Sequence, residues 1–198
     1  LVEVLKRNLS RGFKNLAIFE SGHVFIPGEQ LGSESIPPLG ARPSDEVLAD
    51  LNAGIPQQPT FIAGLFAGTE HEAMPGAAPR AYDWRDALDA VRLVAAAVSA
   101  EIQVRNGVHT AFHPGRVAEV LNAAGERVGF AGELHPKLLQ ELNLPERTCA
   151  FELDFSALFA GRVEAHQATP VLTFPAATQD VALLVDRDLP ASEVERVL

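Results

Sequence analysis

The chain has 198 residues, room for one large domain or one and a half ordinary ones, and its 47% hydrophobic content supplies a packed core and excludes a disordered chain. No apolar run approaches the roughly 20 residues needed to span a bilayer, and no basic segment leads into an apolar signal region, so a soluble, cytoplasmic protein is the expectation. With 26 acidic against 16 basic residues the net charge is −10, and the clustered Lys and Arg that hold phosphates are missing; Arg7, Arg11 and Lys14 make the densest basic group.

Leu1 to Arg11 carries Leu1, Leu5 and Leu9 with Val2 and Val4 beside them, the pattern of a helix that Gly12 can close. No N-cap precedes Leu1, so the chain is expected to begin inside an element, as a fragment would. Leu16 to Ile26 alternates as a strand, with a bulge expected at Ser21-Gly22. Pro27 to Pro59 is rich in Gly and Pro and predicts a partly mobile surface loop, with a turn or two of helix near Ser44 to Leu51. Thr60 to Gly68 is a second apolar strand, followed by an Ala/Pro/Gly loop to Arg80.

Asp83 N-caps the longest predicted helix, with Asp86 three residues later at the positive end of the dipole. Trp84, Leu88, Val91, Ala95, Val98 and Ile102 form one apolar stripe, which marks a core face rather than a cofactor box. Residues 102–105 and 117–121 read as short strands around the Asn106-Gly107 turn signal and the His113-Pro114-Gly115-Arg116 corner. Arg127 to Leu134 is a buried strand in which Gly permits close backbone approach. Pro136 opens a short helix with Leu138, Leu139 and Leu142 on one side, and Asn143-Leu144-Pro145 ends it. Cys149 to Leu153 returns as a strand, which makes the lone Cys149 an inert core thiol and fits a reducing compartment.

Gly161 to Thr169 is a polar link. Beyond it Gln179 to Val185 predicts a strand, Asp186 to Pro190 a turn, and Ala191 to Leu198 the start of a helix. About six strands with few helices between them give an α+β fold, a mostly antiparallel sheet with helices on one face.

Residues that could carry chemistry are few. His113, Glu133 and His135 are donors of the kind zinc accepts, but the spacing of the histidines matches no metal motif. Each histidine directly precedes a proline, which sets a chain corner where an imidazole N–H can donate to a carbonyl or carboxylate. Gly115 completes the corner, and Arg116 is expected to pair with Glu133 or with a carboxylate across a subunit interface. Ser10, Ser21 and Ser156 have no adjacent base signal for nucleophilic catalysis. On the residues alone, two readings stay open: a small-molecule enzyme using the His113/Glu133/His135 region, and a free-standing interaction module.

Five segments in chain order carry a resemblance. They are NLSRGFKNLAIFESGHVF from Asn8, FIAGLFAG from Phe61, HPGRVAEVL from His113, GELHPKLLQELNLP with AFELDFSAL from Gly132, and FPAATQDVALLVD from Phe174. Together they resemble the beta subunit of bacterial phenylalanine–tRNA ligase, over nearly the whole chain apart from the loop around residues 28–58. The resemblance implies a class II synthetase-like core over residues 1–165 and the opening of a ferredoxin-like anticodon-binding domain over 170–198. It implies a heterotetramer of two alpha and two beta subunits that charges tRNA(Phe) with phenylalanine using ATP and Mg²⁺. In the alpha subunit of that family a similar segment leads into a glycine-rich Gly-x-Gly-x-Glu-Arg run whose arginine meets ATP. Here Glu152 and Asp154 stand where the glycines would be, and Ser156 and Ala157 where the Glu-Arg pair would be. The resemblance therefore implies a scaffold with no catalytic, cofactor-binding or metal residues of its own, and structural roles for His113, Gly115, Arg116, Glu133 and His135. Thr178-Gln179 replace arginines common in the family, so an RNA contact is not expected there.

Overall fold

The computed structural model describes residues 1–28, 36, 37, 39–162, 171 and 173–197. Two compact units divide the chain, Leu1–Arg162 and Val163–Leu198. In the first, six strands form one sheet: β1 (Leu16–His23), β2 (Thr60–Ala67), β3 (Ile102–Asn106), β4 (Phe112–Asn122), β5 (Arg127–Leu134) and β6 (Cys149–Asp154). Their order is β1-β2-β6-β5-β4-β3, and each neighbouring pair is antiparallel. The β1–β2 register runs without a break from Leu16↔Ala67 to His23↔Thr60, so no bulge forms at Ser21-Gly22. The irregularities lie in β4 instead, one of them between Phe112 and Val117.

Helices cover both faces, not one. α3 (Trp84–Ala97) and α5 (Phe155–Ala160) pack Leu88, Val91, Ala95 and Leu158 against Val120, Val128, Phe151 and Leu153. α1 (Val2–Ser10) and α4 (Pro136–Leu142) place Leu5 and Leu139 on Leu65, Phe112, Val117, Leu134 and Ala150 of the opposite face. The second layer follows from the sheet itself, because alternate residues of β4, β5 and β6 are apolar on both sides and each side needs cover. Burying Leu5, Leu153 and Leu158 fully stabilises the fold by about 1.5–3 kcal/mol each.

Local chemistry sets the ends of these elements. Asp83 and Asp86 form a capping box at the start of α3. α1 closes with the N–H of Phe13 on Asn8 O and Gly12 in the left-handed region. In the long loop after β1, α2 (Asp45–Ala53) is capped by Ser44, near the turn of helix the sequence predicts. Residues 29–35 and 38 of that loop, and 163–170 of the polar link, lie outside the described residues. At Gly129 a methyl group would collide with the carbonyl oxygen of Glu152 on the neighbouring strand, so this pairing requires glycine.

In the second unit, α6 (Ala191–Val197) forms as expected. The strand expected at Gln179–Val185 does not, because among the described residues no neighbouring strand accepts its backbone hydrogen bonds.

Candidate functional site on the sheet and its Arg-Glu corner

The residues singled out from the sequence fall in two places, an open row across the sheet and a charged corner at one of its ends. The row follows from the register. Glu20 of β1 is opposite Ala63, Ala63 opposite Glu152, Glu152 opposite Phe130, Phe130 opposite Glu119, and Glu119 opposite Arg105. Directly paired residues share a face, so three carboxylates line one row across all six strands, Glu20 and Glu152 exposed within it. Glu119 is partly buried and neutralised by Arg105 Nε at 2.6 Å and Arg127 Nη1 at 3.7 Å. Glu152 is exposed and forms no ion pair among the described residues. Arg127 also lies over the Phe130 ring at 5.2 Å, and His109 packs on the same ring at 4.7 Å.

The two positions beyond Glu152 are engaged in structure. Asp154 N-caps α5, its Oδ1 accepting the N–H of Ala157 at 2.9 Å. Ser156 Oγ accepts the N–H of Thr60 at 2.9 Å and ties α5 to β2.

The corner lies where β4 meets the end of β5. Phe112 pairs with Leu134 and Val117 with Gly132, so four residues, His113 to Arg116, stand opposite the single residue Glu133. Gly115 makes this excursion in the left-handed region. Glu133 is only 5% exposed, and both its carboxylate oxygens accept from Arg116 Nη1, at 3.0 and 2.9 Å. Arg147, also in the left-handed region, brings its Nε to 3.8 Å from Glu133 Oε2. A buried carboxylate thus braces two half-exposed guanidiniums, 44% and 57% exposed.

The histidines do not join this cluster in the way expected. His135 donates to nothing through Nδ1; that atom accepts the N–H of Lys137 at 3.1 Å and caps α4. The reason is the helix start, which presents free N–H groups and so calls for an acceptor. His113 Nδ1 is enclosed and has no hydrogen-bond partner among the described residues. Glu133 is thus held by arginine and His135 Nδ1 by a backbone amide.

The adjacent helix start is equally committed. Arg80 holds Asp86 with two nitrogens, at 3.1 and 2.6 Å, and Glu70 with Nε at 2.9 Å. These carboxylates raise the Arg80 pKa above its ordinary value, the hydrogen bond to Asp86 contributing most. Burial alone would push the Asp86 carboxyl up, but hydrogen bonds from Arg80 and from the Asp83 N–H outweigh it and hold it below the usual range. Burial, reinforced by the nearby Glu133 charge, pushes the Cys149 thiol up to about 12, so it stays protonated and unreactive at neutral pH.

Residues 1–155 match the family described as the phenylalanyl tRNA synthetase beta chain CLM domain. The chain belongs to this family. It is 45% identical over its full length to the phenylalanine–tRNA ligase beta subunit of Leifsonia xyli subsp. xyli, and 41% identical to that of Streptomyces avermitilis. The beta subunit of Bifidobacterium longum is 37% identical, again over the whole chain. The chain spans about a quarter of the length of these relatives, 24%, 24% and 23% in turn.

Two features of the site were not visible in the sequence: the reach of Arg147, and the alignment of Glu152 with Glu20 and Glu119. Arg147 follows Pro145-Glu146 with no local sign that its backbone turns left-handed toward Glu133. Glu20, Glu119 and Glu152 each sit at an alternating strand position, and only the register brings them into line.

Proposed function

We propose that this chain is the non-catalytic core of the beta subunit of a phenylalanine–tRNA ligase, a scaffold for the alpha subunit and for the tRNA-binding parts. The holoenzyme charges tRNA(Phe) with phenylalanine, using ATP and Mg²⁺, as a cytoplasmic heterotetramer of two alpha and two beta subunits. In this reading residues 1–165 are a class II synthetase-like module without its chemistry, and 170–198 open a ferredoxin-like anticodon-binding domain. His113, Gly115, Arg116, Glu133 and His135 are structural.

The observation that carries the reading is the carboxylate row. A catalytic module of this kind stabilises a triphosphate and the transferring phosphoryl group with fixed positive charge. This sheet presents Glu152, without an ion pair among the described residues, at the centre of its open row, with Glu20 and Glu119 on either side. Glu152 would repel a phosphate charge at 4 Å by about 1–4 kcal/mol between bulk-water and surface screening, whereas Glu119 is already neutralised by Arg105 and Arg127. The helix beyond it spends Asp154 and Ser156 on caps and ties. Folding is retained, and phosphate binding is opposed.

Co-expression of the full-length parent with a phenylalanine-activating alpha subunit tests this. The two should co-purify and aminoacylate tRNA(Phe), and Glu152→Gln should leave the Michaelis constants for ATP and phenylalanine near wild type. A parent that never associates with alpha, or an activity that depends on Glu152, would contradict the scaffold role.

A further inference from the structure

We infer that Arg116 and Arg147, braced from below by Glu133, receive a carboxylate side chain from the subunit against which this module packs; the inference rests on the scaffold reading above. Arg116 bonds Glu133 through Nη1 alone, and among the described residues its Nε and Nη2 make no hydrogen bond. The Arg147 guanidinium makes none at all among the described residues and approaches Glu133 only to 3.8 Å. Both cations lie within 3.8 Å of one oxygen, Glu133 Oε2, so their free donors face outward from a common anchor. Two positive charges against one negative leave the corner net positive in a chain of net charge −10.

Rigidity supports this use. Arg116 ends a four-residue excursion whose partner Glu133 is buried, and Gly132 leaves no room for a side chain against the Arg116 backbone. A guanidinium pre-set like that of Arg116 loses little freedom when it forks onto a carboxylate. A protein carboxylate is favoured over an RNA phosphate because a polyanion would meet the repulsion of the acidic chain, whereas one side chain brings a single charge.

The test measures the affinity of full-length beta for its alpha subunit against NaCl concentration, for wild type, Arg147→Glu and Arg147→Gln. Arg147 is chosen because Arg116 already holds the buried Glu133. Arg147→Glu should weaken assembly about tenfold or more, Arg147→Gln less, and both should flatten the salt dependence. The melting temperature of beta alone should stay near wild type for Arg147→Gln, whereas Arg147→Glu, which sets a second carboxylate beside the buried Glu133, should lower it. Should Arg147→Glu fail to fold, the salt slope of Arg147→Gln decides between the same outcomes. Unchanged affinity and salt slope would overturn the inference. So would normal assembly with weakened tRNA(Phe) binding, which would place a phosphate there. Wild-type beta that does not bind alpha would instead bring down the scaffold reading itself.

Discussion

Removing either partner of the Arg116–Glu133 pair should destabilise the fold unequally, and the inequality is set by which group is left buried. Arg116→Ala strands a carboxylate that is 5% exposed, with only Arg147 at 3.8 Å in reach. Breaking a buried pair in this way costs about 3–5 kcal/mol. Arg116 is itself 44% exposed, so water and Arg147 recover part of that, leaving about 2–3 kcal/mol. Glu133→Gln keeps the shape and an acceptor oxygen, while the freed guanidiniums turn to solvent, at a cost of about 1 kcal/mol. For a chain of this size each kcal/mol moves the melting temperature by about 2–4 °C. Thermal melts followed by circular dichroism should therefore show a loss of about 4–12 °C for Arg116→Ala and about 2–4 °C for Glu133→Gln. Equal losses, or a larger loss for Glu133→Gln, would refute the claim that the buried carboxylate sets the cost.

Other perturbations follow from the same geometry. Asp86→Ala removes a capping-box partner and both Arg80 bonds, and should cost about 1–2 kcal/mol in denaturant titrations. Because the folded Asp86 pKa is depressed, its contribution is complete above the ordinary carboxylate range and lost as pH falls through the folded value. Wild type should lose stability below about pH 4 more steeply than Asp86→Asn does. Gly129→Ala forces a methyl into the Glu152 carbonyl and should cost about 1–3 kcal/mol or prevent folding, which soluble yield and melting temperature will show. His135→Ala should lower stability by about 1 kcal/mol through the lost cap, while the holoenzyme keeps its Michaelis constants for phenylalanine and ATP. A fall in kcat at unchanged melting temperature would give His135 a catalytic duty instead.

Much of the framework was legible in the sequence because it depends on local signals. The Asp83–Asp86 cap, the stripe through Leu88, Val91 and Ala95, and the strand–helix–strand run from Arg127 to Asp154 each declare themselves within a few residues. The run from Leu16 likewise read as a strand, and Leu16–His23 forms one. What the sequence concealed is long-range. The carboxylate row exists only through the pairing of six strands, and Arg147 reaches Glu133 through a left-handed backbone that nothing nearby in sequence requires. The second helical layer was hidden because α1 and α4 are short and their apolar sides do not say which face of the sheet they cover. Gln179–Val185 had the composition of a strand, but a strand also needs a neighbour. The role of His135 was inverted for a related reason: its position before Pro136 was visible, yet the helix start behind it demanded an acceptor, not a donor.

The claim that this module keeps a fold and opposes nucleotide binding is tested most directly by titrating ATP with Mg²⁺ into the chain in a calorimeter. Glu152, without an ion pair among the described residues, and Asp154, committed to its cap, predict no saturable heat at millimolar ATP. Saturable binding in the micromolar range would contradict it.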